Sequence, residues 1–422
     1  MTTSSLQSTA NILKLTPGQL DMLAGGQGRS VRKAMEILAA LGEIYGAGRM
    51  APVASVQIAG VSYDNLGEAG LSWLEEMAAG GGKVRVLTTL NPAGMDVDNW
   101  QALGIDAVFA ENQRRVIDAF ASMGVMTTCS CTPYLFGNLP HYGEHIAWAE
   151  SSAVCYANSV LGARSNREGG PSALAAALTG FTPLYGYHLD ENRRPAITIE
   201  LEAGLLKDGD SASFGALGKA IGSIMEAEGS RPVPYIRGVE QASLEQLKSF
   251  CASLATFGGA ALFHMEGITP EAPLFDPPER RFTLDHAALS SARRSMTDAQ
   301  PGEVDFVSLG CPHLSIAEIS RLASLLEGKR VVKEFWITTA RPTKLMADRL
   351  GYTRIIEASG AKFAADTCCV VAPIQGRFKV MATDSAKACY YGRAKNKFQI
   401  VFRSFDEVVA AALGETYEDT QA

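Results

Sequence analysis

Three of the eight cysteines in this chain share one local setting. Cys131 follows a predicted strand at 125–128, Cys311 one at 306–309, and Cys368 one at 362–365. In open α/β sheets, ligands collect beyond the carboxyl ends of the strands. Thiols delivered to three such ends can therefore meet at one point. Thiolates hold iron–sulfur clusters, and three ligands leave one iron able to take a substrate oxygen as a Lewis acid. Ser315 and Glu318 read as a capping box just after Cys311, which sets that thiol near a helix N-terminus, where negative charge is favoured. Spacing alone leaves a plainer reading open. There is no C-x-x-C pair, and free cysteine often simply packs in a core. Cys155 and Cys251 fall in apolar helical patterns and read as core. Cys129, Cys369 and Cys389 are neighbours without a stronger claim. A zinc hydrolase built on these thiols is disfavoured, because no common zinc spacing occurs.

The densest polar stretch runs from Gly143 to Arg193. Glu150, Glu168, Glu191 and His188 are candidates for moving or holding a proton; Glu150, His188 and Glu191 are the catalytic assignments. Arg164 and Arg167 can each fork onto a carboxylate or phosphate, and Ser151 and Asn166 are further substrate contacts. Gly169 and Gly170 lead into an alanine-rich helix whose first N–H groups suit an anion. A solvated, turn-rich surface is the alternative; the mixture of arginines, carboxylates and glycines with little lysine favours a lined pocket. His145 reads as structural. Turns after two early strands offer Ser62, Tyr63 and Asn91 to a substrate, and a late capped turn offers Lys387.

Positioning these groups requires alternating elements. Strands are predicted at 53–58, 84–88, 125–128, 306–309, 335–338 and 362–365. Helices are predicted at 30–45, 66–77, 106–123, 150–160, 315–326 and 343–350, with Thr16, Pro17 and Gln19 starting an earlier one. Residues 196–228 are undecided. This alternation implies an α/β fold of several lobes with mostly parallel sheets. The expected organisation is a loose tail at 1–15, N-terminal lobes at 16–266, a proline-rich linker at 267–285, a C-terminal lobe at 286–410 and a tail at 411–422.

The chain has 422 residues, 47% hydrophobic and 20% charged, a composition suited to a large buried core. A net charge of -7 argues against nucleic acid as a partner. No run approaches the length of a membrane span and the polar start lacks a secretory apolar stretch, so no membrane contact and a cytoplasmic location are expected.

The motifs are long enough to resemble a known family. Cys131 to Leu135, Gly143 to Val154, Ala163 to Leu174, Ser308 to His313 and Asp366 to Ile374 together resemble the signatures of aconitase X, and the likeness runs from about Thr16 to Val409. The resemblance implies an aconitase-like fold and a dehydratase that removes water from a small hydroxy acid. It implies an iron–sulfur cluster, of undefined nuclearity, on Cys131, Cys311 and Cys368, with Cys369 as a rival to Cys368. It also implies a small swivelling domain carrying a serine base. That domain has no counterpart among these motifs and is expected as a separate subunit. The family suggests two substrates, cis-3-hydroxy-L-proline, preferred here for want of a lysine cluster, and mevalonate 5-phosphate. A non-catalytic scaffold is the alternative of another class, weakened by the intact cysteines.

Overall fold

The computed structural model describes residues 13–207, 209–229 and 231–415. Its strands form three parallel sheets, each with its own helices, as the alternating pattern requires. The first sheet orders Leu87–Leu90, Ser55–Ile58 and Ala147–Trp148. The second orders His264–Met265, Pro234–Arg237, Ile197–Leu201 and Arg281–Leu284. The third orders Lys362–Ala365, Glu334–Thr339, Phe306–Leu309, Val380–Thr383 and Gln399–Phe402. Parallel strands covered on both faces read as continuous apolar runs, and Phe306 to Leu309 is buried at every residue. A short antiparallel pair, Met50–Pro52 with Phe181–Pro183, lies apart from these sheets.

Local chemistry places the helices close to expectation. Thr16 caps Pro17–Ala24 through the full capping box with Gln19, and Asp106 caps Ala107–Ser122 by accepting from Val108 and Phe109. Ser315 and Glu318 form the expected box on Ile316–Leu326. The strand expected at 125–128 is reduced to one bridge between Thr89 and Met126. The early strands are also shifted, to Ser55–Ile58 and Leu87–Leu90. Residues 196–228 resolve into Ile197–Leu201 and the helix Ser211–Ala227.

The domain expectations need correction. Residues 267–285 are not a linker: Arg281–Leu284 pairs in register with Ile197–Leu201, and Glu271 is buried against Arg193. The prolines mark turns within a packed layer rather than a junction. Of the tail expected at 1–15, residues 1–12 lie outside the described residues; Lys14 bridges Arg49 and Leu13 packs on the first core. The C-terminal tail likewise overlaps the helix Phe405–Leu413, and 416–422 lie outside the described residues. The core of the second layer also recruits Tyr134, Trp148 and Val154 from earlier in the chain, because the helix Ser151–Ser159 packs on Leu244–Phe257.

Candidate active site

In the third sheet the chain builds outward from Phe306–Leu309 in one direction and then returns to its other side with Val380–Thr383. That reversal opens a crevice at the strands' carboxyl ends. Cys311 follows one of the two strands there and Lys387 follows the other. In the first sheet, Ser62, Asn91 and Glu150 follow the carboxyl ends of all three strands. The two sheets meet through these ends. Ala93 N–H donates to Asp366 O at 2.8 Å, and Ser62 Oγ to Val371 O at 3.0 Å. Arg341 spans the joint, donating to Asp96 at 2.5 Å and bonding Asp366 as well. Burial pushes the Asp366 carboxyl up to about 6, partly offset by Arg341.

At the junction Lys387 pairs with Glu150, both about nine-tenths buried. Asn91 Nδ2 donates to Glu150 Oε2 at 3.0 Å; Ser152 donates to Oε1 through its N–H at 3.2 Å and its hydroxyl at 2.8 Å. Burial raises the Glu150 carboxyl, but the Lys387 charge and these hydrogen bonds outweigh it and hold the group at about 2. Glu150 is therefore a carboxylate here, not a ready acid. Burial works against the Lys387 charge, while Glu150 and the nearby thiols raise its pKa above the ordinary value.

The three cysteines gather around this pair. A hydrogen bond from the Cys311 thiol lowers Cys368 to about 7 against the effect of burial, and raises Cys311 itself. Burial pushes Cys131 up to about 12, with Glu150 and Cys368 adding to the rise and Lys387 opposing it. Cys369 hydrogen-bonds Ser308 rather than Cys311. Cys155 and Cys251 hydrogen-bond each other inside the second core, as core residues would. Among the described residues no three His, Cys, Asp or Glu side chains converge to hold a single metal ion.

Several expected site residues lie elsewhere. His188 bonds His145, Nδ1 to Nδ1 at 2.9 Å, and His145 bridges Arg164. His145 lies five residues before Glu150, at the amino end of its strand, roughly 15 Å away at the usual rise per residue. His188 is therefore not at the Glu150 centre, and burial lowers it to about 3. Arg164 pairs with Asp190 at 2.5 Å, and Glu191 is exposed in a neighbouring surface turn. Asn166 serves that turn, donating to Tyr185 O and accepting from Tyr187 N–H. These groups collect near the amino end of the strand Ala147–Trp148, whereas Glu150 stands past its carboxyl end. Ser151 is half-buried at the first position of its helix. Tyr63 donates its hydroxyl to Glu68 at 3.3 Å. Arg167 is exposed and has no ion pair among the described residues, donating only to Gly259 O at 3.4 Å. The helix start at Gly169 is partly spent, since Ser172 Oγ accepts from Gly169 N–H at 2.9 Å. His313 is not among the site residues that the sequence singles out, although it stands two positions from Cys311. It is fully buried, and its N–H donates to Cys131 Sγ at 3.3 Å.

Profiles of the aconitase X first, second and third domains match residues 12–191, 195–294 and 304–414. The chain belongs to the aconitase X family. This aconitase X chain is 47% identical over 375 residues to the phosphomevalonate dehydratase large subunit of Methanothermobacter thermautotrophicus, covering 88% of this chain and 91% of that protein. The Methanocaldococcus jannaschii protein of the same name is 44% identical, covering 94% and 99%. The cis-3-hydroxy-L-proline dehydratase of Hypocrea jecorina is 35% identical, covering 99% of this chain and 72% of that protein. The crystal structure of Thermococcus kodakaraensis aconitase X in its holo-form superposes with a TM-score of 0.87 at 41% identity, covering 94% and 100%. Aconitase X membership makes the chain a hydro-lyase, a dehydratase with an aconitase-like α/β fold, and sets the scaffold alternative aside. Among the described residues no helix is long and apolar enough to cross a membrane.

Proposed function

We propose that this chain is the large subunit of a dehydratase acting on mevalonate 5-phosphate. One observation carries the choice. The phosphomevalonate dehydratase large subunits match at 43–47% identity along 91–99% of their length in four cases, whereas the hydroxyproline dehydratases match at 34–35% along 69–72%. The preference for hydroxyproline rested on the lack of a lysine cluster. Arg167, exposed and without an ion pair among the described residues, supplies a phosphate-binding fork without one.

Cys131, Cys311 and Cys368 are the residues that would hold an iron–sulfur cluster. The fit rests on two thiols that follow strands and a third that follows the Thr89–Met126 bridge, one of them already lowered to about 7, beside the Lys387 ammonium. When bound, the cluster supplies a Lewis acid for the substrate hydroxyl. The chain's own groups do the rest. Glu150 Oε1 is taken by Lys387 and Ser152, while among the described residues Oε2 accepts only from Asn91. Oε2 therefore can orient the substrate hydroxyl by accepting a hydrogen bond from it, and Lys387 keeps the carboxylate aimed. Asn91 Oδ1 is buried without a hydrogen-bond partner among the described residues and offers a second acceptor. The relatives named large subunits support a second, small subunit, which would supply a serine base for the proton alpha to the carboxylate.

The test is to co-express the chain with its small subunit anaerobically and follow water loss from mevalonate 5-phosphate and from cis-3-hydroxy-L-proline. Turnover of the phosphate ester alone is expected. Turnover of hydroxyproline alone would overturn the substrate choice. Absence of iron and acid-labile sulfide from active enzyme would overturn the cluster.

A further inference from the structure

His313 touches all three cysteine-bearing loops. Its backbone follows Cys311 by two residues, and its N–H donates to Cys131 Sγ at 3.3 Å. Its ring Nε2 lies 3.0 Å from Thr367 O, the carbonyl immediately before Cys368. Its Nδ1 lies 3.2 Å from Ser130 Oγ, the residue immediately before Cys131. A carbonyl can only accept, so Nε2 carries the proton and Nδ1 accepts from the Ser130 hydroxyl. The carbonyl of His313 in turn accepts from the buried Lys248 ammonium at 2.9 Å.

The far ends of these ties are themselves anchored. Ser130 N–H donates to Leu90 O at 2.8 Å, and Ser130 O accepts from Gln57 Nε2 at 3.0 Å, both in the first sheet. Thr367 follows Asp366, which Arg341 holds. The imidazole is completely buried. A buried ring with both nitrogens engaged is worth keeping only where its two bonds are made together.

We propose that His313 is a positioning residue whose ring clamps the Cys131 and Cys368 loops to the Cys311 loop, fixing the spacing of the three thiols before any cluster arrives. This rests on the cluster reading for loading, whereas the ties themselves are made wholly by groups of this chain. Ligand groups held in place by surrounding hydrogen bonds are generally needed for tight metal retention.

Hydrogen exchange of the unloaded chain tests the clamp directly. His313→Ala is expected to raise exchange at 128–133 and 365–370 while the second sheet stays protected. His313→Gln, whose amide N–H can still reach Thr367 O, is expected to restore 365–370 more than 128–133; Ser130→Ala should loosen only 128–133. In protein reconstituted with iron and sulfide, His313→Ala is expected to lose its visible absorption to a chelator at least ~10-fold faster than wild type, in line with the usual effect of such supporting groups. Unchanged exchange in His313→Ala would overturn the clamp, whatever the metal result. Should His313→Ala fail to fold, unchanged exchange at 128–133 in Ser130→Ala would do so. If wild-type protein takes up no iron and sulfide, the cluster reading fails separately, and exchange alone decides the clamp.

Discussion

Replacing Lys387 by Met strips the only cation bonded to Glu150 among the described residues. Both side chains are about 10% exposed, so water cannot take over the lost contact. In the intact protein Glu150 sits at about 2 against an ordinary 4.5. At about 1.4 kcal/mol per unit, that difference corresponds to about 3 kcal/mol of net stabilisation of the folded carboxylate, burial cost already included. Removing one partner of a buried pair typically costs about 3–5 kcal/mol, because the other charge stays buried. Lys387→Met is therefore expected to lower the unfolding free energy of the unloaded chain by about 3 kcal/mol or more at neutral pH. Glu150→Gln added to it should recover at least about 1 kcal/mol, since a neutral amide has less to lose. Urea unfolding of wild type, both single variants and the double variant closes the cycle. A loss below about 1 kcal/mol for Lys387→Met, with no recovery in the double variant, would refute the claim that this pair is buried and mutually dependent.

Two other perturbations follow from the same geometry. Burial, and then the charges of His145, Arg193 and Arg164, hold His188 at about 3 against 6.5 in the unfolded chain. Between those values the unfolded chain binds the proton and the folded chain does not, so stability should fall as pH drops from 6.5 towards 3, by up to about 1.4 kcal/mol per pH unit. Urea midpoints from pH 7.5 to 4 should show a shallower slope for His188→Leu; parallel curves would remove His188 as the source. Gly310→Ala would set a Cβ 2.1 Å from Thr338 O at a backbone φ of 105°. It is expected to cost about 3 kcal/mol or more, read by urea unfolding, and wild-type stability would show that the Cys311 turn is looser than described.

Much of the scaffold was legible because its causes are local. The capping boxes at Thr16 and Ser315 act within three residues, and the structure places both as read. Apolar runs such as Phe306 to Leu309 announce buried parallel strands without any knowledge of their neighbours. Register is less local. The strand read at 53–58 starts two residues later, at Ser55, and the one read at 84–88 lies at Leu87–Leu90, because pairing partners, not propensity, end a strand. The proline-rich segment 267–285 misled for a similar reason: prolines mark turns, but only the pairing of Arg281–Leu284 with Ile197–Leu201 shows which layer those turns serve.

The candidate site divides along the same line. Sequence alone determined which thiols stand after strands, that Glu150 opens a helix, and which family signatures surround them, since all of these are properties of short contiguous stretches. Only the tertiary structure decided which of these groups meet. Cys131, Cys311, Cys368, Glu150 and Lys387 come from separate segments across two sheets and share one crevice, while His188, Arg164 and Glu191, which lie with Glu150 in one polar stretch of the sequence, belong to the opposite end of its strand. The physical reason is that an extended strand carries consecutive residues apart by about 3.3 Å each, whereas sheet order and the packing of one sheet's ends against another's bring together residues hundreds of positions distant.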